Sequence, residues 1–190
     1  MVKKVAILSS GSGSNAQALI KHFASKENIE VVFVGSNRAS AGVLEKAQIL
    51  GVNHGHFTRD ELNNGRVLSD LEKLDVDWIL LAGFLLKIPS KFCSRFKGRI
   101  LNVHPSLLPK YGGKGMFGQR VHEAVFQAEE KESGMTIHYV NEFYDEGAVV
   151  FQGRVKIDDV TDAQEIADRV LKLEHEYYPR ISAELITLSK

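Results

Sequence analysis

Asn102 and His104 stand two residues apart in Ile100-Leu101-Asn102-Val103-His104-Pro105-Ser106-Leu107-Leu108-Pro109. The apolar residues Ile100, Leu101 and Val103 predict a strand, so the amide and the imidazole project from the same side of it. Pro105 and Pro109 stiffen the loop where that strand must stop. A carboxamide supplies a neutral donor, and an imidazole titrates near neutral pH. Both could reach one reacting carbonyl. A lone histidine on an apolar strand is more often structural. Here the adjacent amide and the strand-end position favour a site, because open α/β sheets hold ligands beyond the carboxyl ends of their strands.

A second constellation lies at Ser9-Ser10-Gly11-Ser12-Gly13-Ser14-Asn15, between an apolar strand and a helix. Glycines let backbone approach a ligand closely, and a helix start offers free N–H groups at a positive dipole end. Phosphate is the natural guest. Gly11, Gly13 and Ala16 also satisfy the dinucleotide fingerprint, which keeps an NADP-binding oxidoreductase as a rival. That fingerprint needs an acidic residue about 20 positions on. The chain offers Gly35-Ser36-Asn37-Arg38 there, with Arg38 available only for a 2′-phosphate. A mononucleotide-type phosphate is the preferred reading, and a ligand-free turn capped by Ser or Asn is the plain alternative.

Elements able to hold these groups alternate along the first hundred residues. Strands are expected at Val5–Ser9, Ile29–Ser36, Asn53–Phe57, Trp78–Ala82 and Ile100–His104, and helices at Asn15–Ala24, Ala41–Leu50 and Ser69–Leu74. The near-continuous apolar runs suit strands covered on both faces, and the alternation predicts right-handed βαβ units. Later come a glycine-rich loop (Gly112, Gly113, Gly115, Gly118), a helix over Val121–Glu129, and strands at Gly134–Phe143 and Ala148–Ile157 joined by a turn at Tyr144–Gly147. Thr161 with Gln164 predicts a capping box for a last helix to about Leu188, kinked or interrupted at Pro179. The expected fold is α/β: one open, mostly parallel, twisted sheet with helices on both faces, a Rossmann-like N-terminal half, an antiparallel hairpin and a long C-terminal helix.

The 190 residues fit one domain, with 44% hydrophobic and 25% charged residues. Lys plus Arg (24) equals Asp plus Glu (24), so no global field favours nucleic acid or an anionic membrane. No apolar run approaches the roughly 20 residues of a membrane span, and the N-terminal stretch reads as a buried strand rather than a signal peptide. A single cysteine, Cys93, excludes an internal disulfide and points to a reducing, cytoplasmic setting. His54 and His56 share a face but lack the partners a metal site needs, so no metal is expected.

Asn102-x-His104-Pro105-Ser106-Leu107-Leu108-Pro109 resembles the signature of the folate-dependent formyltransferase family. Ser10–Asn15, Leu81-Ala82-Gly83-Phe84, Lys110-Tyr111, Gly134-Met135-Thr136-Ile137-His138 and Glu174-His175 near Tyr178-Pro179 fall in the family's order along essentially the whole chain. The resemblance implies formyl transfer from 10-formyltetrahydrofolate to the amine of 5-phosphoribosylglycinamide, with no metal. It implies Asn102, His104 and Asp145 as catalytic residues, with Asp145 raising the pKa of a His104 that stabilises the oxyanion in its protonated form. Gly13, Ser14, Asn15, Gly83 and Glu174 would hold the ribonucleotide. Arg66, Leu85, Leu86, Lys87, Ile88, Asn102, Val140 and Asn141 would hold the folate. Residues 1–190 would form one formyltransferase domain, with a phosphate-binding half (1–100) and a catalytic and folate-binding half (101–190). It would act as a monomer or homodimer.

Some relatives carry arginine where Leu86 stands, and many have Pro-Gly where this chain has Gly112–Gly118. The extra glycines would give a mobile loop, with Lys114 available to a phosphate. His22, His122, His138 and His175 are expected to be structural or exposed. Formyltetrahydrofolate hydrolase and formyltransferases acting on tRNA or sugar nucleotides are the alternatives within the family. The hydrolase and the tRNA enzyme would add a domain not expected within 190 residues.

Overall fold

The computed structural model describes residues 1–189. Lys190, the last residue of the expected domain, lies outside them. In chain order they form β1 (Lys3–Leu8), α1 (Ser14–Phe23), β2 (Ile29–Ser36), α2 (Gly42–Ile49), β3 (His54–His56), α3 (Arg59–Asn64), α4 (Arg66–Lys73), β4 (Trp78–Leu81), α5 (Ser90–Arg95), β5 (Ile100–His104), α6 (Gln119–Gln127), β6 (Glu132–Tyr139), β7 (Val149–Lys156) and α7 (Ala163–Leu188). The strands make one sheet in the order β3-β2-β1-β4-β5-β6-β7. Neighbours from β3 to β5 are parallel, while β6 runs antiparallel to both β5 and β7.

Strand parity divides the apolar residues between two cores. Val5 and Ile7 of β1, Trp78 and Leu80 of β4, and Leu101 of β5 face a core built with α1, α2, α6 and α7. Ala6, Leu8, Ile79, Leu81 and Ile100 face a second core with α3, α4 and α5. The chain changes faces between β3 and β4, and the order reverses beside β1. That is a topological switch point, where an open sheet leaves a crevice beyond its strand ends. The expected fold class holds.

Several details depart from the sequence reading. α3 and α5 were not anticipated, since each spans only six residues and buries one side chain, Leu62 and Phe92 respectively. A capping box secures α3: the Glu61 N–H donates to Thr58 Oγ1 and the Thr58 N–H to the Glu61 carboxylate. The cap of α7 is Asp162 rather than Thr161. Its carboxylate accepts the Glu165 N–H at 2.9 Å, and Thr161 instead donates its own N–H to Glu165. The hairpin turn is wider than expected. β6 stops at Tyr139, the Tyr139 N–H closes onto the Ala148 carbonyl, and the polar residues between them loop out.

Pro179 does not interrupt α7, which continues to Leu188. The ring costs one helical hydrogen bond. Burial of Tyr178, Ser182, Ala183 and Ile186 in the same stretch outweighs that loss. Tyr178 is fully buried, and its hydroxyl proton is shared between the Leu81 and Leu101 carbonyls at 3.0 and 3.2 Å, tying α7 to β4 and β5. Tyr178→Phe should lose about 1–3 kcal/mol in urea denaturation, because the carbonyls lose a buried donor. An unchanged midpoint would show the hydroxyl to be dispensable.

Candidate active site

The turn after β1 is shaped by its neighbours. Gly13 adopts a left-handed φ of 77°, and a Cβ there would approach Val43 of α2 to 2.6 Å, so only glycine fits. The Ser10 hydroxyl donates to Asn37 Oδ1 at 2.6 Å and accepts the Leu85 N–H at 2.9 Å, stitching the turn to the loop after β4. The Ser10 N–H is held by the Gly83 carbonyl. The N–H groups of Ser12, Gly13, Ser14 and Asn15 find no acceptor among the described residues. No acidic side chain occupies the first turn of α1. Four free donors at a positive helix end make an anion site.

Asn15 Nδ2 donates to Glu174 Oε2 at 2.6 Å, while its Oδ1 is buried without a partner. Glu174, on α7, is 6% exposed. Burial pushes its carboxyl up to about 7, against the Asn15 hydrogen bond that favours the charged form.

The amide–imidazole pair gathers two further groups. His104 is 4% exposed, and its Nε2–H donates to the Tyr111 carbonyl at 2.8 Å. Its Nδ1 therefore carries a lone pair and faces Asp145 Oδ2 at 3.5 Å. Burial lowers the His104 pKa more than Asp145 and the Tyr111 carbonyl raise it. The expected rise of the His104 pKa by Asp145 is thus outweighed by burial, which favours the neutral imidazole in the free site. Burial pushes Asp145 up, but hydrogen bonding to its charged form, including the Gly113 N–H at 2.9 Å, outweighs it, so the carboxyl stays below the ordinary range.

His138 lies opposite Asn102 in the β5–β6 register. Its Nδ1–H donates to the Tyr139 carbonyl at 2.9 Å, so its Nε2 must accept from Asn102 Nδ2 at 3.0 Å. Asn102 keeps one amide N–H for a guest. His138 Nε2 is also 3.6 Å from Asp145 Oδ1. His138 was expected to be structural or exposed, and the signal was hidden because strand pairing, not sequence spacing, brings it to Asn102. His122 of α6 is likewise buried against this cluster, with Nδ1 unpartnered and a pKa lowered to about 4 by burial and by His104.

A cavity of about 690 Å³ joins the two constellations. Gly13, Ser14, Asn15, Gly83, Leu85, Asn102, His104, Asp145 and Glu174 all line it, as do Lys114 and His122. A hollow of about 150 Å³ lined by Leu86 and Lys87 adjoins it through Leu85 and Tyr144. The remaining expected folate residues lie elsewhere. Ile88 is buried in the second core, and Val140 packs on that core. Asn141 is exposed, its side chain accepting the Phe143 N–H. Arg66 is ion-paired with Glu61 at 2.6 Å beside a separate hollow with Phe33 and His56. Its long side chain found a nearer carboxylate on the capped helix before it. Among the described residues, no group of three or more His, Cys, Asp or Glu is gathered to hold a metal. Among the described residues no helix is long and apolar enough to cross a membrane.

Fold and site together define an open α/β protein with an anion-binding turn facing an amide–imidazole–carboxylate cluster across one crevice. The chain belongs to the Formyl transferase family, whose profile matches residues 3–182. It is 38% identical to the chloroplastic phosphoribosylglycinamide formyltransferase of Arabidopsis thaliana over 94% of this chain, but spans only 64% of that protein's length. It is 36% identical to the phosphoribosylglycinamide formyltransferase of Haemophilus influenzae, covering 95% of this chain and 85% of that one. The crystal structure of phosphoribosylglycinamide formyltransferase from Brucella melitensis superposes with a TM-score of 0.88 at 35% identity, covering 100% of this chain and 98% of that one.

Proposed function

We propose that this chain transfers the formyl group of 10-formyltetrahydrofolate to the glycinamide amine of 5-phosphoribosylglycinamide, a step of de novo purine biosynthesis. One observation carries the reading: the anion-ready turn and the Asn102–His104–Asp145 cluster open onto the same cavity. The phosphate binds the free N–H groups from Ser12 to Asn15, with Glu174 and Gly83 along the sugar. The folate enters past Leu85, Leu86 and Lys87, so its formyl carbon meets the amine at Asn102.

The amine attacks the formyl carbon and gives a tetrahedral oxyanion, which accepts the remaining Asn102 N–H. His104 Nδ1 takes the amine proton, and Asp145 stabilises the resulting imidazolium. The same proton passes to folate N10 as the C–N10 bond breaks, so the step balances without any covalent bond to the enzyme. Asp145 thus acts on the imidazolium formed during reaction and does not hold one beforehand. We read residues 1–190 as one formyltransferase domain, cytoplasmic and monomeric or homodimeric.

A steady-state assay with both substrates tests the reading. Formyl transfer should require the ribonucleotide. Equal release of formate to water in its absence would favour a hydrolase instead.

A further inference from the structure

We infer that Lys46 of α2, outside the cavity, is a positioning residue that sets the enzyme's affinity for the phosphate end of its substrate. The inference rests on the phosphate reading above and deepens it. Lys46 Nζ donates to the Ser12 carbonyl at 2.8 Å. The carbonyl of Ser12 and the N–H of Gly13 belong to one planar trans peptide, so they point in opposite directions. Fixing the oxygen towards α2 therefore aims the Gly13 N–H away from α2, none of whose residues line the cavity. The preceding peptide is treated alike: the Val43 N–H holds the Gly11 carbonyl at 3.2 Å and turns the Ser12 N–H the same way.

The two tethers differ in charge. Val43 offers a neutral amide, whereas Lys46 places a full positive charge on the peptide oxygen. Hydrogen bonds in series polarise one another, so the charge on one side of the peptide strengthens the donor on the other. It also supplies a nearby counter-charge for a phosphate. The cavity needs one. Three carboxyl side chains line it (Asp145, Asp168 and Glu174), against a single Lys or Arg among the described lining residues, Lys114 on the glycine-rich loop. Lys46 stands on a helix packed behind the turn, so its charge is delivered without closure of that loop.

The test is titration of wild type, Lys46→Met, Lys46→Gln and Lys46→Arg with inorganic phosphate by calorimetry, together with steady-state kinetics. Lys46→Met should weaken inorganic phosphate binding and raise KM for the ribonucleotide by about tenfold, the scale of one charge-assisted hydrogen bond. The KM for the formyl folate and kcat should stay within about twofold of wild type, because the chemistry lies across the cavity. Lys46→Arg should restore phosphate binding, while Lys46→Gln, which keeps a donor without charge, should resemble Lys46→Met. Phosphate binding unchanged in Lys46→Met, wild-type behaviour of Lys46→Gln, or an equal rise in both KM values would overturn the inference. If wild type binds inorganic phosphate but does not formylate the ribonucleotide, the substrate assignment fails while Lys46 is still tested.

Discussion

His104→Ala should lower kcat roughly a hundred- to ten-thousand-fold, the usual contribution of a positioned general base, while leaving the fold intact. The side chain is the one titratable group at the cluster with a free lone pair towards Asp145. Its replacement removes both the acceptor for the amine proton and the donor to N10. The wild-type pH profile carries a second expectation. A base works only when unprotonated, so activity is present above its pKa and lost as pH falls through it. Burial lowers that pKa from 6.5, so the acid limb of kcat/KM for the free enzyme should lie below the ordinary imidazole range. Asp145→Asn removes the charge that raises His104, so the limb should move further to acid while the maximum rate falls. Near-normal turnover by a folded His104→Ala enzyme would remove His104 from the mechanism.

Glu174→Gln should make the protein more stable at alkaline pH and leave it unchanged in acid. The native carboxyl titrates at about 7, whereas its unperturbed value is 4.5. Between those values the folded chain holds a proton that the unfolded chain has released. Stability therefore falls as pH rises through this window, by up to about 3 kcal/mol, and stays low above it. Glutamine cannot ionise, yet its amide oxygen still accepts the Asn15 N–H. The variant should gain most of that energy over wild type at pH ~8 and nothing at pH ~4.5 by urea denaturation. A constant difference at both pH values would contradict the burial argument. The gain should come with a higher KM for the ribonucleotide, since the carboxylate would face the sugar, a familiar exchange of stability for function.

Most of the fold was legible because parity and alternation are local properties. Val5 to Leu8 and Trp78 to Leu81 read as doubly covered strands, and they are buried on both faces. The errors fell where distant packing decides. Pro179 looked like a break, yet its turn of α7 is buried against the sheet. The cap of α7 moved by one residue because the Asp162 carboxylate accepts the Glu165 N–H, while the Glu165 carboxylate reaches back to the Thr161 N–H. Asn102, His104 and Asp145 came together as the motif implied. His138 did not stand out, because its link to Asn102 spans 36 residues and exists only through the β5–β6 pairing. The surroundings of Arg66 were not legible either, because its ion-pair partner Glu61 belongs to a helix too short and polar to foresee.

The pairing of Asn102 with His138 also makes the β5–β6 register its own quality control. Side chains alternate with a period of two, so a slip of one residue between β5 and β6 would send His138 to the opposite face. Asn102 would then lose the lone pair that orients its amide, and Asp145 would lose a neighbour. A misthreaded chain would retain its phosphate turn and most of its core, yet have no assembled catalytic centre. Recovery of turnover on refolding is thus a more stringent readout of correct threading than recovery of helix content or compactness.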